Sequence, residues 1–128
     1  MGGVDPLVVG VVQLGIAAQR QAAAQRLAQQ LGADALLVFA ADREVDAWLP
    51  APGFPQTLPR GHQWQAFLRA CAAAGEHRGT LPYPDAASEL PALGIAAGDA
   101  VLVVLGGGPR GEALATVRAL LPLLAAAW

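Results

Sequence analysis

Hydrophobic and polar positions recur with two different periods along this chain, and the changes of period mark its elements. Asp5-Pro6 supplies a capping residue followed by proline at a first helical position, and a helical pattern then runs to Leu31, where Gly32 provides a left-handed stop. The spacing predicts one long helix. Val9, Val12, Ile16, Ala23, Leu27 and Leu31 fall on one side of it, and Leu7, Val11, Leu14 and Ala18 on the other. In the second half Gln21, Gln25 and Gln29 take over that other side and can stay in water. The first half is apolar all round, so one stripe is expected to pack on its own domain and the other on a partner. Gly10 and Gly15 each cost about 1 kcal/mol against alanine in a helix interior, so packing must hold this segment helical.

Ala35 to Ala40 is a short apolar run of strand length, followed by the charged turn Asp42-Arg43-Glu44 and an alternating arm through Val45, Ala47 and Leu49. This predicts a hairpin with a buried first arm and a second arm nearer an edge. Prolines at 50, 52, 55 and 59 then exclude regular structure and leave a loop centred on Phe54. From about Arg60 to Ala74, Trp64, Phe67, Leu68 and Cys71 follow helical spacing, and Gly75 closes the segment. Gly79 to Tyr83 predicts a brief strand, and 86–90 a loop or short helical turn. Leu93 to Ala97 and Ala100 to Leu105 predict two strands joined at Gly98-Asp99. Pro109 suits the start of a last helix, in which Leu114, Val117, Leu121, Leu124 and Trp128 repeat in steps of three and four, the seam of paired helices. Pro122 is expected to kink or break it.

Composition narrows the classes. The chain has 128 residues, 55% hydrophobic and 14% charged, which excludes disorder and suits one domain. Mean hydropathy is +0.43, yet no apolar run approaches the roughly 18 residues a membrane span requires, and no secretory leader pattern is present. A cytoplasmic location is expected. All eight basic residues are arginines, scattered within a net charge of -2, so nucleic acid is not an expected partner. The lone Cys71 has no disulfide partner, and His62 and His77 have no metal-ligand spacing.

The element order resembles that of a GAF domain, and three segments carry the resemblance. Leu27-Ala-Gln-Gln-Leu-Gly-Ala-Asp-Ala-Leu-Leu-Val-Phe39 looks like the entry from a signalling helix into the first strand. Leu81-Pro-Tyr-Pro-Asp85 is similar to the extended segment ending in aspartate after the pocket helices. Val101 to Gly108, with Glu112 and the leucine-rich 119–126, looks like the last strand and exit helix. Ala51 to Pro59 and Leu120-Leu-Pro-Leu-Leu124 are similar, more narrowly, to the GAF domain ahead of the kinase core in bacterial sensor histidine kinases. The resemblance implies an α+β fold: a central antiparallel sheet of about five to six strands with the N- and C-terminal helices on one face and pocket loops on the other. It divides the single domain into an N-terminal helix at 1–31, sheet and pocket helix at 34–108, and a C-terminal helix at 109–128. The segment between Tyr83 and Leu93 is shorter than in the family, so a reduced pocket is an alternative.

Candidate chemistry is sparse. Gly106-Gly-Gly-Pro-Arg-Gly111 fits G-x-G-x-x-G, but a dinucleotide fold needs that turn after its first strand, with a ribose-binding acid about 20 residues on. A plain strand-to-helix turn is the simpler account. Cys71 could carry a bilin, as in photoreceptor GAF domains, but lacks their neighbouring histidine and is expected in the core. Glu76-His77 is expected at a solvated helix end rather than as an acid/base pair. Asp42, Glu44 and Asp46 suit a charged hairpin turn better than a cation site.

Trp48, Phe54, His62, Trp64, Phe67 and Tyr83 are the candidate ligand contacts. Leu7, Val11 and Leu14, with Leu114, Val117, Leu121 and Leu124, are the candidate homodimer surface through the terminal helices. The expected function is a non-catalytic regulatory domain of a bacterial two-component protein, sensing a small molecule or dimerising to relay a signal to a kinase or other output domain. No cofactor or metal is expected. The alternatives are a pure dimerisation module with a collapsed pocket and a small nucleotide-binding protein using the Gly106 to Gly111 turn.

Overall fold

The computed structural model describes residues 6–54 and 57–106, together with helical residues 115, 117–119 and 121–122. Elements run α1 (Pro6–Leu14), a 3-10 turn (Ala17–Gln19), α2 (Arg20–Leu31), β1 (Ala35–Asp42), β2 (Ala47–Pro50), α3 (Gly61–Ala74), β3 (Glu76–Pro82), β4 (Glu89–Ala97) and β5 (Ala100–Leu105). The fold is α+β, built on one five-stranded antiparallel sheet in the order β2-β1-β5-β4-β3.

The single long helix expected over 6–31 is corrected to a helical hairpin. Gly15 N–H turns back to Val12 O (3.1 Å), Ile16 N–H to Gln13 O (3.0 Å) and Gln19 N–H to Ile16 O (2.9 Å), so the ladder tightens and α1 ends. Gln13 of α1 accepts a bond from Arg26 of α2, and Gly10 lies against Leu27. The reversal exchanges the faces assigned to α1. Leu14 is buried in the chain's own core, whereas Val9 (38%), Val12 (63%) and Ile16 (45%) are exposed. Periodicity fixes which residues share a helix face but not which face turns inward. On α2 the pattern holds: Ala23, Leu27 and Leu31 are buried, Gln21, Gln25 and Gln29 are exposed, and Gly32 closes the helix at φ 74°.

The joint is held by a buried cation. Arg20, 5% exposed, donates from Nε to Leu14 O (2.6 Å), one of the carbonyls left over at the end of α1, and from Nη1 to Pro52 O (2.7 Å). Burial lowers its pKa from the usual guanidinium value. One side chain thus ties α1, the start of α2 and the loop after β2 together.

The Asp42 carboxylate turns the first hairpin, accepting Glu44 N–H (3.0 Å), and the second strand begins at Ala47 rather than Val45. Gly98-Asp99 joins β4 to β5 as the sequence predicts, but β4 begins at Glu89 and β3 at Glu76, both earlier than the apolar runs suggest. Between them Tyr83 N–H bonds Ser88 O (2.9 Å) and Asp85 caps Ala87 and Ser88.

Helix α3 bonds to both edges of the sheet. Gln65 brackets Trp48 on β2, accepting from its N–H (2.9 Å) and donating to its carbonyl (2.6 Å). Gln63 and the Trp64 indole donate to Thr80 O (3.4 Å) and Pro82 O (3.1 Å) on β3. The sheet curls around α3, and peptide groups of both edge strands are occupied by side chains instead of being left to pair with another chain. Trp64, Phe67, Leu68 and Cys71 are buried as their spacing predicts, and Gly94 lets β4 approach Cys71 and Phe67. The other sheet face buries Leu36, Val38, Leu93, Ile95, Leu102 and Val104. The exposed Arg118 reaches that face through its ion pair with Glu76 (2.7 Å), and Val117 and Leu121 are buried in the core.

Candidate functional site

The predicted ligand contacts do not form one site. Trp64 is core, packed on Phe39 (centroids 5.4 Å) and edge-on to Tyr83 (6.3 Å). Phe67 is buried under α3, with His77 edge-on at 5.1 Å. His62 is exposed at the start of α3. Trp48 borders a small cleft of about 230 Å³ at the β1–β2 hairpin, where Arg43 pairs with Asp99 (2.9 Å) and Arg69 donates to Asp46 O (3.2 Å). Both arginines there are already bonded within the chain, one to a carboxylate and one to a main-chain carbonyl.

Phe54 and Tyr83, by contrast, meet at a larger cleft of about 290 Å³ between α2 and the start of β1. Its floor is Ala24, Ala28, Leu36, Leu37 and Phe54, all buried. Its mouth carries the exposed amides of Gln21, Gln25 and Gln29, the exposed carboxylate of Asp34, and half-buried Tyr83. The local reasons are plain. Two alanines one turn apart leave space where α2 meets the strand, and the glutamines flank that small-residue stripe at the same spacing. The loop after β2 brings in Phe54, whose N–H bonds Ala51 O (3.1 Å), and the β3–β4 turn brings in Tyr83. Asp34 is fixed by its own N–H to Leu105 O (2.9 Å) and by Gly106, at φ 73°, where an added Cβ would lie 2.6 Å from the Asp34 Cγ. Gly106 therefore has a steric reason to be glycine that does not involve phosphate. The rest of the glycine motif, 107–111, lies outside the described residues.

Of the candidate interface residues, Leu14, Val117 and Leu121 are buried within this chain and so offer no free apolar surface. The side chains of Leu7, Val11, Leu114 and Leu124 lie outside the described residues. Glu76 and His77 point to opposite faces of β3, Glu76 to Arg118 and His77 to Phe67, and form no acid/base pair. The helix end predicted for them is in fact strand. Burial raises the Cys71 thiol to about 11, which keeps it protonated in the core.

Sequence reasoning missed Asp34, Ala24 and Ala28 as site residues and assigned the three glutamines to solvent. A small-residue stripe flanked by amides at the same spacing was the available signal.

Among the described residues no helix is long and apolar enough to cross a membrane, and no group of three or more acidic, histidine or cysteine side chains gathers as a metal site. No protein-family model, no curated protein and no solved structure matches the chain.

Proposed function

We propose that this chain is a regulatory, GAF-like domain of a bacterial signalling protein, by its sequence resemblance a sensor histidine kinase, and that a small molecule held between α2 and β1 biases the N-terminal helices. The observation that carries this is the composition of the cleft wall. A ligand there touches α2, the entry to β1, the Phe54 loop and the Tyr83 turn at once. Arg20 links two of those parts to the end of α1, so a shift of α2 or of the loop must move α1 or break a buried bond. Differential affinity for two settings of that joint is what a ligand needs to change an equilibrium.

Hydrogen exchange, measured on the whole chain with and without the small-molecule fraction of a bacterial lysate, tests this. The expected result is slowed exchange over 20–37 and around Tyr83. Unchanged exchange in those segments overturns the sensory reading.

The exposed strip Val9, Val12 and Ile16 favours a second reading, a self-association module acting without ligand. It predicts concentration-dependent dimerisation in sedimentation, lost in a Val12→Ser, Ile16→Ser double variant.

A further inference from the structure

We propose that the cleft between α2 and β1 takes a small organic cation, an ammonium group on a short apolar body, held by Asp34 and by the rings of Phe54 and Tyr83. The inference rests on the sensory reading above and adds the charge class of its ligand.

Among the described residues the lining contains no arginine, lysine or histidine, and their one carboxylate there is Asp34. No described residue forms an ion pair or hydrogen bond with that carboxylate. The smaller cleft at Trp48 differs because it carries its own cations, Arg43 paired with Asp99 and Arg69 bonded to the Asp46 main-chain carbonyl. Asp34 is also held in place: its N–H is anchored on β5 and its side chain rests against Gly106. A fixed carboxylate with no protein cation on it attracts a ligand cation without first breaking an existing bond.

The aromatic residues supply the rest. A cation over the face of Phe or Tyr is drawn by the ring quadrupole, and more strongly where water is partly excluded. Phe54 is buried and Tyr83 half-buried, with Trp64 packed edge-on behind it, so both rings are held by the core. Ala24, Ala28 and Leu37 give a floor for a few carbon atoms. Gln21, Gln25 and Gln29 offer neutral donors and acceptors at the mouth, which suit a hydroxyl or amide on the ligand but add no charge. An anion would meet Asp34 with no cation among the described lining residues to offset it.

Three probes of one shape and different charge test the assignment: choline, its neutral carbon isostere dimethylbutanol, and the isosteric anion dimethylbutyrate. Calorimetric titration of the whole chain is expected to give saturable choline binding with Kd on the order of 1 mM or tighter. The neutral probe should bind roughly 5- to 10-fold more weakly, and the anion more weakly still. Asp34→Asn should weaken choline by a similar factor while leaving the free protein's melting temperature within about 1 °C, because Asp34 is exposed. Tyr83→Leu should weaken choline more than dimethylbutanol.

Equal binding of the three probes, preference for the anion, no choline binding, or choline binding indifferent to Asp34→Asn each overturns the cation assignment. If lysate components still slow exchange over 20–37 when choline fails, the sensory reading survives and the charge class alone is wrong.

Discussion

Gly10→Ala distinguishes the helical hairpin from a continuous helix by the sign of its effect. In an uninterrupted helix the change removes a glycine and stabilises by about 1 kcal/mol. In the hairpin, a Cβ on Gly10 would lie 2.7 Å from Leu27 Cδ2 and 2.8 Å from its Cγ, about 1 Å inside normal carbon contact. Leu27 is fully buried and has little room to withdraw. Overpacking of this kind costs about 1–3 kcal/mol, which outweighs the propensity gain and leaves a net loss of roughly 1–2 kcal/mol. For a domain of this size that lowers the melting temperature by roughly 3–10 °C. In a Leu27→Ala background the clash is gone and Gly10→Ala should stabilise, so the two changes couple by about 2 kcal/mol. Thermal and urea unfolding of the four proteins measure the cycle. A higher melting temperature for Gly10→Ala alone refutes the hairpin packing.

Other sites give independent checks. Gly94→Ala places a Cβ into the Cys71 Sγ and 2.9 Å from Phe67 Cε1, and should destabilise by about 2–3 kcal/mol in urea unfolding, partly relieved by Cys71→Ala. Arg20→Met leaves the Leu14 and Pro52 carbonyls without their charged donor and should cost about 3 kcal/mol, with faster exchange at the end of α1; wild-type exchange there contradicts the joint. Cys71, raised from 9.0 to about 11 in the fold, favours folding fully below pH 9 and loses that contribution, about 3 kcal/mol, as pH rises from 9 through 11. Cys71→Ala should flatten the stability profile in that window, and the wild-type thiol should resist alkylation at pH 8 until the chain unfolds.

The parts of the fold legible in the sequence are those whose signal is local. Trp64, Phe67, Leu68 and Cys71 give the buried face of α3 because helix spacing and a closing glycine suffice. Gly98-Asp99 between apolar runs gives the β4–β5 hairpin. The break at Gly15 was hidden because both flanking segments are good helical patterns, and the contacts that hold the reversal, Arg20 to Pro52 and Gly10 against Leu27, join residues far apart in sequence. β3 and β4 run longer than their hydrophobic cores because Gly79, Pro91 and their charged neighbours are carried by the ladder pairing. The site was only half legible. Aromatic residues drew attention as ligand contacts, yet Trp64 and Phe67 are needed by the core, while the cleft depends on alanines that leave space and on an aspartate whose position is set by Gly106.

Native mass spectrometry of the purified chain beside its Ala28→Leu variant tests the occupied cleft most directly. Ala28 is buried in the cleft floor, so the added carbons fill the space a ligand needs. The account predicts a discrete extra mass on the wild-type chain that is absent from the variant. A wild-type chain at its bare mass, or the same extra mass on both proteins, would contradict it.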